Sequence, residues 1–348
     1  MRIILTMVVD MSIARMTLGV DGGMNDARRS RRSSGPRSKR CRPNSGVPRL
    51  RSVAVVLVAV AVLVAACGGS STASGGDNSE TIVATTGIWA DVVGQLVCGG
   101  QAEVSQLIPD GADPHGYEAS LADRGRLDDA ALVVANGAGL EEGLDDTIDS
   151  VASDGTPVVR ITELVDTITD EDGRVNPHLW MDPVRVSDVL APLAARIEEE
   201  LALTPGELSG CLEDTVSRIS RLDTELSGLV ATVPPARRLL ITDHDDLPYL
   251  ADRYGFTIVG SLVPSSSSLA GVDPRHLEDL ADAARRSGAP AVFIEVGESS
   301  ADAESLAKRA GLRVVELYIG SLGPPGSGAD TWEGLLRTDM TAIVEALR

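Results

Sequence analysis

Eight short apolar runs, separated by helical stretches and gathered into two sets of four, constrain this chain more than any other feature. The first set is Thr81–Thr86, Val104–Ile108, Ala131–Ala135 and Thr156–Ile161, with a helix expected over Trp89–Leu96. The second follows Pro234-Pro235 and comprises Leu239–Thr242, Thr257–Leu262, Ala291–Glu295 and Arg313–Leu317. A helix over Asp273–Ser287 interrupts that set, opening with Asp as a cap and Pro in the first turn. Short β-branched runs between helices read as parallel strands covered on both faces. The expected fold class is therefore α/β: two lobes, each with a small, about four-stranded parallel sheet flanked by helices.

The stretch between the two sets reads as helix. Pro183 to Leu203 forms one segment, and Thr204-Pro205 opens another that runs to about Val230. In the second, Leu208, Leu212, Val216, Ile219, Leu222, Leu226 and Leu229 recur at steps of three and four, making one apolar stripe. Such a helix is some 35–40 Å long, enough to bridge two lobes rigidly or to fold back on one of them. The expected organisation is an N-terminal lobe over 81–182, linking helices over 183–233 and a C-terminal lobe over 234–348.

Ahead of the lobes the sequence reads as an address. Residues 28–51 are basic and rich in Pro, Gly and Ser, and Val53–Ala66 is an unbroken apolar run. That run is short for a bilayer span but suits the h-region of a signal peptide. It ends Ala65-Ala66-Cys67-Gly68-Gly69, which resembles the bacterial lipoprotein signal, in which the Cys is lipidated and becomes the mature N-terminus. The expectation is a leader and signal over 1–66, lipidation at Cys67, a flexible tether over 67–80, and residence on the extracytoplasmic face of the cell membrane. Beyond the leader only Cys98 and Cys211 remain; export allows a disulfide between them, and two separate buried thiols are the alternative.

Charge narrows the partners. The net charge of −20 conceals 12 Lys/Arg against 3 Asp/Glu in residues 1–66, which leaves 19 basic and 48 acidic groups for the rest. So acidic a body repels nucleic acid, and no nucleic-acid partner is expected.

Three of the four histidines fall in loops beyond strands: His115 after the second run, His178 after the fourth, and His244 directly after the fifth. Ligands of open α/β sheets bind at the carboxyl ends of strands, so these three positions suit a shared cleft. His276 lies inside the helix at Asp273 and reads as a surface side chain. No H-E-x-x-H or C-x₂-C spacing is present, so no local zinc-enzyme motif supports the site.

Four separated motifs, in order, carry a resemblance: Asp113-Pro-His115-x-Tyr-Glu118, Asn176-Pro-His178-x-Trp180, Thr242-Asp-His244 and Gly328-Ala-Asp330-Thr-Trp332. Over about residues 80–348 the chain resembles the metal-binding lipoproteins (solute-binding proteins) of ABC-type zinc and manganese importers. The resemblance implies two lobes bridged by a long helix, with a metal between them held by His115, His178, His244 and Asp330. It implies an ABC permease and its ATPase as partners, a lipid-anchored monomer, and no enzymatic activity.

Three imidazoles and a carboxylate make the four-coordinate set that Zn²⁺ favours, while Mn²⁺ prefers more oxygen donors. Manganese-type members tend to carry a carboxylate where this chain has His244, so Zn²⁺ is the expected cargo and Mn²⁺ the alternative. Many zinc-type relatives also carry a His-rich acidic loop before the second ligand; here Asp166–Arg174 is short and has no histidine. Metal-bound imidazoles usually donate their other N–H to a carboxylate or carbonyl, and Asp113, Glu118, Asp182, Asp243 and above all Glu295 are candidates. The alternatives are a secreted zinc-dependent hydrolase using the same ligands, or a siderophore- or corrinoid-type binding protein.

Overall fold

The computed structural model describes residues 80–348 except 171, 172 and 298. The expected signal peptide, Cys67 and the tether through residue 79 lie outside the described residues. Among the described residues no helix is long and apolar enough to cross a membrane.

Both sets of runs form sheets. The first holds β1 (Thr81–Ala84), β2 (Glu103–Gln106), β3 (Leu132–Ala135) and β4 (Val158–Arg160) in the order β2-β1-β3-β4, all parallel. The second holds β5 (Leu239–Thr242), β6 (Thr257–Ser261), β7 (Ala291–Glu295) and β8 (Arg313–Leu317) in the equivalent order β6-β5-β7-β8, also parallel. Strands covered on both faces need side chains that bury on both, and β3 and β7 are buried at every position. In each sheet the chain order reverses beside the first strand, between β1 and β3 and between β5 and β7. That reversal opens a crevice at the carboxyl ends, where ligands bind.

The first sheet is flanked by α1 (Gly87–Leu96), α2 (Leu121–Asp128) and α3 (Asp145–Asp154). α4 (Pro183–Glu200) and α5 (Ser209–Val230) follow it, and the second sheet is flanked by α6 (Pro248–Tyr254), α7 (Pro274–Ser287), α8 (Ala301–Ala310) and α9 (Trp332–Leu347). α7 starts as its sequence predicts, with the Asp273 side chain accepting from Arg275 N–H and Pro274 in the first turn. α5 starts at Ser209, later than the expected Thr204. Gly206 takes a left-handed φ of 84°, and the Glu198 carboxylate collects the N–H groups of Gly206 and Leu208, so the intervening residues form turns.

The stripe on α5 buries Leu208, Ile219, Leu222 and Leu226, while Val216 faces solvent. α5 packs against α4, α1 and α9, and so touches helices of both sheets. One continuous apolar core results, running from Ile82 and Trp89 through Leu193 and Leu222 to Leu240, Phe293 and Trp332. Arg218 of α5 adds a polar tie, donating to Gln95 at the end of α1 and to Glu333 at the start of α9. A shared core of this kind resists any hinge between the sheets, because opening it would expose apolar surface at about 25 cal/mol per Å².

Cys98, just past α1, and Cys211, in the first turn of α5, form a disulfide with Cα atoms 5.9 Å apart and a sequence separation of 113. Closing so long a loop restricts the unfolded chain most, and native disulfides of this kind contribute about 2–5 kcal/mol. Cys98→Ser/Cys211→Ser should therefore lower the urea midpoint of unfolding by an amount equivalent to about 2–5 kcal/mol, with secondary structure unchanged by circular dichroism. An unchanged midpoint would show that the bond leaves the unfolded chain as free as before.

Candidate metal centre

Three loops bring His115, His178 and His244 together at the carboxyl ends of the strands. His115 lies between β2 and α2, His178 precedes the 3₁₀ turn Leu179–Met181 that leads into α4, and His244 follows β5 by two residues. One ring nitrogen from each lies within 4.8 Å of the others, and each residue is only 2% exposed. The His115 ring stands 5.5 Å from that of His178 and 5.7 Å from that of His244, edge-on to the latter.

Hydrogen bonds fix which nitrogen of the His178 and His244 rings faces inward. Asn176 Oδ1 sits 3.0 Å from His178 Nδ1 and also accepts the His178 backbone N–H, while its amide nitrogen donates to Asp245 O at 2.6 Å. With the amide so oriented, Oδ1 can only accept, and His178 carries its proton on Nδ1. Asp243 Oδ1 plays the same part for His244, 3.2 Å from Nδ1 and 2.8 Å from the backbone nitrogen. Both Nε2 atoms therefore present lone pairs, and they face one another at 3.3 Å. Two facing lone pairs repel unless a cation lies between them. Neither nitrogen of the buried His115 ring has a hydrogen-bond partner, which leaves a third donor for such an ion.

Burial disfavours the charged form of two of these rings, His115 and His178. Burial, then the His244 ring, lowers His115 from 6.5 to about 4. Burial, then the His244 and His115 rings, holds His178 well below the ordinary histidine range. Burial pushes Asp243 up, but the bonds from His244 and from the Glu295 N–H outweigh it and leave the carboxyl below the usual range. Asp246, fully buried 3.9 Å from His244 Nδ1, moves far the other way, through burial and then the Asp243 charge.

Deeper groups hold the loops. Trp89 Nε1 donates to Asn136 Oδ1, and the Asn136 amide donates to Pro177 O, next to His178. Beneath it the buried Glu141 carboxylate accepts from Thr85 and from the N–H groups of Asn136 and Gly137. Trp180 Nε1 donates to Ile319 O and Trp332 Nε1 to Trp180 O, so two buried indoles tie the His178 turn to the β8–α9 segment.

The other expected residues fall in different places. Asp330 is exposed, its Oδ2 accepts from Gly326 N–H within the β8–α9 loop, and it is not grouped with the three histidines. Asp182 caps α4 through Val184 N–H and lies beside Arg185, so it serves the helix and touches no histidine ring. Asp113 shapes the His115 loop, accepting from His115 N–H on one oxygen and from Ser268 of the other half on the second. Glu295 reaches the centre indirectly: its N–H holds Asp243 Oδ2 while its carboxylate accepts from Gly320 N–H. His276 is half-buried, with its Nε2 2.7 Å from Ser261 O. Asp246, and Glu142 at 3.9 Å from His115 Nδ1, were not foreseen. The run Asp243-His244-Asp245-Asp246 was the available signal for the first, and nothing local marks the second.

The chain is similar to known metal-binding proteins. The family described as zinc-uptake complex component A, periplasmic, matches residues 82–346. The manganese-binding lipoprotein MntA of Halalkalibacterium halodurans is 24% identical over 299 residues, covering 84% of this chain and 97% of its own. The zinc-binding protein TroA of Treponema pallidum is 28% identical over 283 residues, covering 78% and 90%. The solved structure of the periplasmic zinc-binding protein TroA superposes with a TM-score of 0.70, at 24% identity over 77% of this chain and 99% of that one.

The depressed histidines make metal-free stability depend on pH with a definite sign. Above about 6.5 both folded and unfolded chains hold neutral imidazole, and the rings cost nothing. Below it the unfolded chain takes up protons first, so stability is lost progressively down to about pH 4 for His115. Metal-free wild type should lose on the order of 2–3 kcal/mol relative to His115→Gln between pH 7.5 and 4, measured by urea unfolding. A constant difference between the two proteins across that range would contradict the buried, neutral ring.

Proposed function

The chain belongs to the family of the periplasmic component A of the zinc-uptake complex, and on that premise we propose that it captures Zn²⁺ at His115, His178 and His244 and hands it to an ABC importer. It is a metal-binding substrate-binding protein and not an enzyme; relatives of the same family carry names for both manganese and zinc binding. The observation that carries the Zn²⁺ reading is the 3.3 Å between the inward lone pairs of His178 and His244. Nitrogen donors at roughly 2.0–2.1 Å from a tetrahedral Zn²⁺ stand about 3.3–3.4 Å apart. Three neutral imidazoles also suit zinc better than the harder Mn²⁺, which favours oxygen.

Asp330 completes the set in this proposal. Its loop is exposed and its carboxylate is held by one N–H of that loop, so exchanging this bond for a metal costs little. A fourth protein donor closes the coordination sphere, which suits carriage and leaves no open position for an activated water. Three nitrogens within 4.8 Å of one another admit a bare ion and exclude a siderophore or corrinoid from between them. Lipidation at Cys67 would keep the carrier at the membrane beside the permease and its ATPase, and the names of the relatives as lipoproteins support that placement.

Purified without chelator, the protein should contain one equivalent of divalent metal by elemental analysis. In competition Zn²⁺ should displace Mn²⁺ from the wild type, and His244→Glu should narrow that preference by at least tenfold. The zinc assignment fails if zinc is absent and His244→Glu leaves the preference unchanged.

A further inference from the structure

We propose that Asn176 is a positioning residue that sets the separation of His178 and His244 before any metal binds, acting as a strut between the two halves. The inference rests on the metal-capture reading and explains what that reading leaves open: what holds two repelling lone pairs together in the metal-free protein.

Every polar atom of Asn176 is engaged, and the residue is 3% exposed. Its Oδ1 takes both the backbone N–H and the ring Nδ1 of His178, at 3.0 Å each. Its Nδ2 donates at 2.6 Å to the carbonyl of Asp245, the residue that follows His244. One planar amide thus joins His178 to the backbone of the residue next to His244, across loops that come from different sheets. Its main chain is held as firmly: Asn176 N–H donates to Ile168 O, and the Tyr249 hydroxyl donates to Asn176 O while accepting from Ile168 N–H. Tyr249 is fully buried on α6, in the second half, with the Arg185 guanidinium 5.1 Å above its ring. The segment that delivers His178 is therefore fastened to the second half at two points, Asp245 O and Tyr249 Oη.

The chemistry demands such a fastening. Two imidazole lone pairs at 3.3 Å, buried away from water, push the rings apart whenever no cation bridges them. A carrier that relied on the metal to draw them together would lose that work from its affinity, whereas a preformed pair avoids the loss. An amide is the group that can serve here, since one end accepts from the imidazole and the other donates to a carbonyl. Aspartate keeps the first function and loses the second, and alanine loses both.

The full chain and its Asn176→Ala, Asn176→Asp and Tyr249→Phe variants provide the test, through Zn²⁺ affinity by chelator competition, the visible spectrum of the Co²⁺ form, and thermal melting of the metal-free protein. Asn176→Ala should weaken Zn²⁺ binding about 10–100-fold and reduce the intense visible bands of tetrahedral Co²⁺. Asn176→Asp should remain at least about tenfold weaker than wild type with the same spectral loss. Tyr249→Phe, the milder change, should cost about threefold with the fold intact and reports on the strut if Asn176→Ala fails to fold. Wild-type affinity and spectrum in Asn176→Asp would overturn the strut and reduce Asn176 to a support for His178 alone. Affinity losses that merely follow falling melting temperatures, with an unchanged Co²⁺ spectrum, would overturn it as well. If the wild type itself takes up neither Zn²⁺ nor Co²⁺, the metal-capture reading falls and takes the strut with it.

Discussion

The rest of the site depends on keeping three imidazoles buried with a ring nitrogen of each turned toward one point. A histidine pushed out of water prefers to be neutral, and a neutral ring offers a metal a donor without first giving up a proton. The cost is local: His115 has no hydrogen-bond partner for either nitrogen, and two nitrogens face each other without a proton between them. A soft scaffold would relax by turning the rings away. Here the rings come from loops on two sheets that share one core through α4, α5 and α9, so relaxation would disturb packing well beyond the site.

The charge of the body and the neutrality of the site are compatible because they act over different distances. A strongly acidic surface raises the local concentration of cations and is screened within about 10 Å in ordinary salt. Close to the ion three of the four proposed donors are nitrogens, and the Asp243 carboxylate is set one hydrogen bond behind His244. That carboxylate orients the ring and makes its inner nitrogen a better donor. The same half also buries the Asp339 carboxyl, which accepts from Tyr318 and Ile319 N–H groups and is raised by burial to about 7. It anchors the turn that begins the segment bearing Asp330.

Much of this was legible in the sequence because strand and helix periodicities are local. β5, β7 and β8 fall on the runs that announced them, and the Asp-Pro start of α7 is a capping signal that needs no tertiary knowledge. The first four strands are shorter at one or both ends than their apolar runs, although inter-strand backbone bonds continue past β1 and β2, from Thr85 N–H to Val134 O and from Leu107 N–H to Ala84 O. The late start of α5 depends on Glu198 reaching back to two N–H groups, a contact that no periodicity reveals. Val216 sits on the stripe by spacing yet is exposed, while its neighbour Thr215 takes the buried position.

At the site, the histidines could be read from their positions after strands, but their supports could not. Asp182 has the composition of a metal-site carboxylate and serves as a helix cap. Asn176 has the composition of a turn residue and bridges two halves of the molecule. Residue type fixes which hydrogen bonds a side chain can make, and only the fold decides which it does make.

The central claim is that one divalent ion is held by three imidazole nitrogens and one carboxylate oxygen. X-ray absorption at the zinc edge of the loaded protein measures that shell directly. Three imidazole nitrogens and a single oxygen at roughly 2.0–2.2 Å is the result expected here. A shell with fewer than three imidazoles, or one built mainly of oxygen, would contradict it.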